Sequence, residues 1–150
     1  MRIAAVIVVA FAAAVQTAAQ AAPVDALFQQ FGLFGTWASD CGRTASPDNP
    51  HVNIATSSPG LVVENYDFGR DYAVNHYSVL AAERLADDRL SVEVIFQPGT
   101  DAEEHQTLVF LVRDRTRRTL FNQPAGGAVR VKDGIALARG SKTQLLRKCE

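Results

Sequence analysis

What this sequence lacks most is an excess of charge. Fifteen Lys and Arg stand against 16 Asp and Glu in 150 residues, a net charge of −1. A nucleic-acid binder needs a basic face to displace counterions from phosphates, and this balance provides none. Cysteine is nearly as scarce. There are 2, Cys41 and Cys149, and no C-x-x-C pair, which excludes a thioredoxin-type redox motif and a cysteine-built zinc site. Long apolar runs are missing but for Ile3 to Val15, and that run is shorter than the roughly 20 residues a membrane-spanning helix needs. The motifs G-x-S-x-G, H-E-x-x-H, G-x-G-x-x-G and the phosphate-binding P-loop are all absent.

What is present begins with a targeting pattern. Met1-Arg2 is a positive start, the apolar run follows, and Ala19-Gln20-Ala21 fits an A-x-A cleavage site. These features predict an export signal over residues 1–21, cut after Ala21, with an uncleaved anchor as the alternative. The remaining residues 22–150 form one domain, expected in the periplasm or secreted, with no stable membrane insertion once the signal is removed. Ten Gly and 6 Pro among 47% hydrophobic residues exclude a disordered chain.

The lead segment VDALFQQFGLF predicts a short amphipathic helix over 25–32, capped by Asp25, with Leu27, Phe28 and Phe31 on one face. Nearly every later segment reads as strand. The spacing predicts strands at 36–40, 52–56, 61–68, 72–84 (bent near Ala81-Ala82), 90–97, 105–113, 118–123, 129–132, 135–139 and 143–148. Leu90, Val92, Val94 and Phe96 alternate with polar positions. Asp133-Gly134 is a two-residue hairpin signal, and Asp114 to Arg117 read as a turn. These ten segments, at roughly ten-residue spacing, predict an all-β domain, with about eight or nine of them as strands of one barrel. The expected form is an up-and-down antiparallel β-barrel behind a short N-terminal helix, with a β-sandwich as the alternative.

The two cysteines bear on that choice. In a closed up-and-down barrel the first and last strands are neighbours. Cys41 follows the first strand and Cys149 the last. An intrachain disulfide would staple the seam; free thiols or a crosslinked dimer are the alternative.

Phe34-Gly35-Thr36-Trp37, placed between a short helix and a run of strands, resembles the opening of the lipocalin and fatty-acid-binding families, the calycins. Their signature is G-x-W at the start of the first strand. The resemblance implies a barrel whose Trp37 caps the closed end beneath a basic side chain from a late strand, Arg139 or Arg147, and it implies a small apolar ligand. An ordinary core tryptophan is the plainer reading of Trp37. The lipocalin T-D-Y motif is missing, and the loop from Gly42 to Pro50 has no room for the helix pair of the fatty-acid binders. The chain as a whole also resembles small exported proteins of alphaproteobacteria.

The candidate site residues follow from this architecture. Tyr66, Phe68, Tyr72, His76 and Tyr77 fall on neighbouring strands and could line a cavity for an amphipathic ligand, or an ordinary core. Arg113, Arg115, Arg117 and Arg118 form the densest basic patch, a candidate surface for an acidic partner or simply a solvated turn. His51, His76 and His105 lie on separate strands and predict no metal site; Asp87-Asp88 and Asp101, Glu103 and Glu104 read as solvated loop carboxylates. No catalytic residue and no cofactor are expected. The expectation is an exported, non-enzymatic binding protein for a small apolar or amphipathic ligand inside a β-barrel. The alternative is a macromolecule-binding or inhibitor protein of the cell envelope.

Overall fold

The computed structural model describes residues 22–150; the expected export signal, 1–21, lies outside the described residues. The chain forms helix α1 (Val24–Gln30), then β1 (Gly35–Ala38), β2 (His51–Ser58), β3 (Leu61–Asp67), β4 (Asn75–Ala86), β5 (Arg89–Phe96), β6 (Glu104–Arg113) and β7 (Thr116–Pro124). Three two-residue strands follow: β8 (Val131–Lys132), β9 (Ile135–Ala136) and β10 (Ser141–Lys142). The last is β11 (Leu146–Lys148).

Period-two alternation closes the sheet on itself. Val52 and Ile54, Val62 and Glu64, Leu90 to Val94, and Gln106 to Phe110 are buried at every second residue. Strands β1 to β7 pair antiparallel in sequence order, β7 pairs β11, and β11 pairs β1. Eight strands thus make a closed antiparallel barrel, as the strand spacing led us to expect, and the sandwich alternative falls away. A barrel of this size leaves room for packed side chains or one small ligand. Among the described residues no helix is long and apolar enough to cross a membrane.

The ring is sealed where the cysteines lie. Cys41 and Cys149 form a disulfide with Cα atoms 5.6 Å apart. It joins the turn after β1 to the residue after β11, the two strands that meet at the seam.

Several boundaries shift for local reasons. Asp25 does not cap α1: Pro23 holds the N-cap position, and the Asp25 carboxylate accepts from the N–H of Ala26. The expected bend in β4 is a bulge between Val79 and Ala81. The turn after β6 is two residues long, not four. Asp114 and Arg115 both take left-handed backbone, φ 51° and 59°, the geometry that matches strand twist in a tight hairpin. Thr116 therefore already pairs with Arg113. The strands expected at 129–132, 135–139 and 143–148 shrink. Strands β8 to β10 are a side meander hydrogen-bonded along the far half of β7, outside the ring.

The connection after β3 holds one close approach. Gly69 has φ +95°, and a Cβ built there would lie 2.7 Å from the carbonyl oxygen of Ala45. Gly69→Ala meets both a forbidden backbone region and a backbone clash. It is expected to lower stability by about 2 kcal/mol in urea unfolding at unchanged slope. An unchanged midpoint would show that the 42–50 loop yields freely.

Candidate functional site

Helix α1 closes the end of the barrel at which β1 begins. Phe28 and Leu33 are fully buried in the same core as Trp37, and the rings of Phe28 and Phe34 sit 6.1 Å apart. The Trp37 indole N–H donates to the Leu33 carbonyl at 2.7 Å. The basic side chain over Trp37 is Lys148, with Nζ 5.9 Å from the ring and 2.8 Å from the carbonyl of Gly32. Neither Arg139 nor Arg147 takes that place. Alternation along β11 turns Leu146 and Lys148 inward and Arg147 out, and Arg139 lies between β9 and β10, off the ring. Gly35 is called for by its backbone, φ +111°, and not by crowding: a Cβ there would meet the Lys148 side chain at 3.5 Å, an ordinary contact.

A charged layer crosses the middle of the barrel. Arg117 donates to both carboxylate oxygens of Glu64, at 3.2 and 2.9 Å, and to the Tyr66 hydroxyl at 2.9 Å. Its guanidinium also lies 4.3 Å from the centre of the Phe110 ring. The side chains of Arg117 and Glu64 are only 2% and 4% exposed. Burial, the largest single effect, pulls the Arg117 pKa down, but the Glu64 carboxylate and the Tyr66 oxygen together outweigh it and hold the guanidinium charged. This corrects the basic patch expected from sequence. The short turn at Asp114-Arg115 sets Arg117 at an inward position of β7. Arg113 pairs instead with Asp88, Arg115 reaches Glu150 at 3.8 Å, and Arg118 lies partly buried with its Nε unpartnered among the described residues.

Above this layer, at the end where β5 and β7 stop and β6 starts, the barrel opens into a cleft of about 890 Å³. One wall is aromatic, made by Tyr77 and Phe96, whose ring centres lie 5.1 Å apart. Tyr66 packs on Tyr77 at 5.3 Å and Phe68 on Tyr66 at 6.4 Å, but neither borders the cleft. Three of the five expected ring residues, Tyr66, Phe68 and Tyr77, therefore cluster, and of these Tyr77 alone lines the cleft. Tyr72 does not join them; it is 57% exposed in the turn before β4. Nor does His76, which is exposed on the outer face of β4, with Nδ1 2.7 Å from the Asn65 side-chain oxygen. It lies one residue from inward-facing Tyr77, and one residue reverses the face.

The floor of the cleft is a hydrogen-bonded chain. Arg130 donates to both oxygens of Glu104 at 2.7 Å, Gln106 Nε2 donates to Glu104 at 2.6 Å, and Asn122 Nδ2 donates to Gln106 Oε1 at 2.8 Å. The Arg130 hydrogen bonds, with help from Gln106, hold the Glu104 carboxyl below its ordinary range. Tyr77 is pushed up to about 12, first by burial and then by the Glu64 carboxylate. Burial is also the leading cause that raises Tyr66. Both phenols ionise later in the fold than in the unfolded chain, so the unfolded chain loses these protons first. Their contribution is intact below pH about 10, the ordinary tyrosine value, and lost as pH rises from there toward 12. Denaturant midpoints measured across that window should fall, and the fall should shrink in Tyr77→Phe. A flat profile would contradict the burial of both rings.

Sequence reading missed Glu64, Phe96, Glu104, Gln106, Asn122, Arg130 and Lys148 as site residues. A signal existed for two of them. Glu64 alternates with Val62 and Tyr66, and Gln106 with Leu108 and Phe110, so both are polar residues on an apolar face. Among the described residues no group of three or more His, Cys, Asp and Glu converges on a metal-sized site. Comparison with protein-family models, with curated proteins and with solved structures gives no match.

Proposed function

We propose that this is an exported, non-enzymatic binding protein that takes a small amphipathic ligand in the mouth of its barrel. One observation carries the reading: a cleft of about 890 Å³ with an aromatic wall at Tyr77 and Phe96 over a polar floor. Apolar walls with a few fixed polar groups are the usual make-up of a small-molecule site. Glu64 and Arg117 do not border the cleft; their buried pair fills the barrel interior beside Tyr77, the register partner of Glu64, so the ligand occupies the mouth and not the full depth of the barrel. Export is supported by the predicted signal and by the disulfide, a bond that persists in oxidising compartments. The G-x-W opening and its resemblance to calycins support ligand binding by analogy.

Native mass spectrometry of the protein purified from its own periplasm or medium tests this. The expected spectrum contains a species heavier than the polypeptide by one small molecule, and Tyr77→Leu depletes that species. A spectrum with the bare polypeptide alone, from cells grown in several media, would overturn the reading.

A further inference from the structure

The ligand class can be narrowed from the chemistry of the cleft, resting on the binding reading above. We infer that the mouth accepts an uncharged, hydroxyl-rich ring, a neutral saccharide unit, and not the charged head and long tail of an acyl amphiphile. Three observations point there.

The first is depth. An acyl tail must run into apolar space, but the barrel interior next to Tyr77 is taken by the buried Glu64–Arg117 pair and the Tyr66 hydroxyl, with Glu64 the register partner of Tyr77. A tail driven deeper than the mouth would have to press hydrocarbon against those charged and polar groups, which is costly without new hydrogen bonds. The second is charge. The carboxylate of Glu104 is already matched by a bidentate contact from Arg130, so the floor offers polarity without net charge. A charged head group would have to displace one of these partners. Arg139 also lines the cleft but is exposed, where solvent blunts its pull.

The third is the mixture of donors and acceptors. A sugar hydroxyl both donates and accepts, and its ring carries an apolar C–H face. Side-chain amides at Gln106 and Asn122, the carboxylate of Glu104, the guanidinium of Arg130 and the phenol of Tyr77 border the cleft together. They supply both hydrogen-bond roles. Tyr77 is held protonated at neutral pH, so its hydroxyl is a donor there. The rings of Tyr77 and Phe96 supply an apolar wall beside these groups.

The test is an NMR titration of the disulfide-intact protein, following backbone amides, with cellobiose, maltotriose, diacetylchitobiose and dodecanoate as separate probes and a glycan array for breadth. Saturable shifts centred on Tyr77, Phe96, Glu104 and Asn122 with at least one neutral saccharide are expected. Tyr77→Phe, which keeps the ring and the fold, should weaken that saccharide about tenfold. Dodecanoate shifting the same residues while no saccharide binds would overturn this inference and leave the binding function standing. No saturable shift with any probe, and a blank array, would overturn the inference and count against the binding function as well. Saccharide shifts located on other faces would also overturn it.

Discussion

Glu64→Ala is expected to destabilise the fold by about 3–5 kcal/mol, the cost of leaving one partner of a buried ion pair without its mate. The substitution strands the guanidinium of Arg117, 2% exposed, with only the Tyr66 hydroxyl and the face of the Phe110 ring beside it. Neither neutralises a full charge. The reverse substitution, Arg117→Ala, strands the carboxylate and should cost a similar amount. The double variant Glu64→Leu/Arg117→Met is expected to be far more stable than the two single losses summed, because the desolvation of both charges disappears together. Urea unfolding with the slope held constant measures all three. A loss under about 1 kcal/mol for Glu64→Ala would mean that water reaches Arg117 and that the layer is not closed. The same layer keeps a ligand at the mouth of the barrel, so the double variant also probes function. With hydrocarbon in place of the ion pair, the barrel should begin to admit apolar probes that the natural protein rejects.

Reduction of Cys41–Cys149 is expected to lower the melting temperature by roughly 10 °C, since a disulfide closing a loop of this size is worth at most about 4–5 kcal/mol and commonly less. The bond spans a sequence separation of 108 residues. Its position makes the effect local as well as global. Strand β11 has 3 residues, with two register pairs to β1 and two to β7, and so depends more on the staple than any other stave of the ring. Amide exchange after reduction should therefore rise first at Leu146 to Lys148 and at their β1 partners Trp37 and Ala38, ahead of β5 and β6. Uniform acceleration across the barrel would show that the seam is not its weak point. An unchanged melting temperature would show that hydrogen bonds and core packing hold the ring without the bond.

The residues that sequence reading placed well are those governed by local rules. Alternation in β5 put Leu90, Val92, Val94 and Phe96 on one face, and that face is the interior. Turn signals set the strand count near its true value, and the two cysteines, one after each terminal strand, pointed to the seam. Where sequence reading failed, the deciding contacts are long-range. Arg117 looked like part of an exposed cluster because Arg113, Arg115 and Arg118 are its sequence neighbours. Its true partner, Glu64, lies 53 residues away. The left-handed pair Asp114-Arg115 carries no glycine to announce a two-residue turn, and reading the turn as four residues left Arg117 in it and not at an inward position of β7.

The sequence by itself determined the all-β class and a single strand-rich domain, because these follow from period-two alternation and turn residues. The two cysteines pointed to a closed barrel and its seam without excluding a sandwich; the strand pairing in the tertiary structure closed the ring. Only the tertiary structure decided what fills the barrel. Glu64, Arg117, Gln106, Asn122, Glu104 and Arg130 come from three strands and one loop, and apart from Glu64 and Gln106, polar on apolar faces, each read alone as a surface residue. Their meaning depends on being paired in space, since a buried charge is tolerable only beside its counter-charge and a buried amide only beside its hydrogen-bond partner. Glu64 and Arg117 meet across β3 and β7, strands that do not pair with each other, and Glu104 meets Arg130 from a loop, contacts that no local pattern encodes.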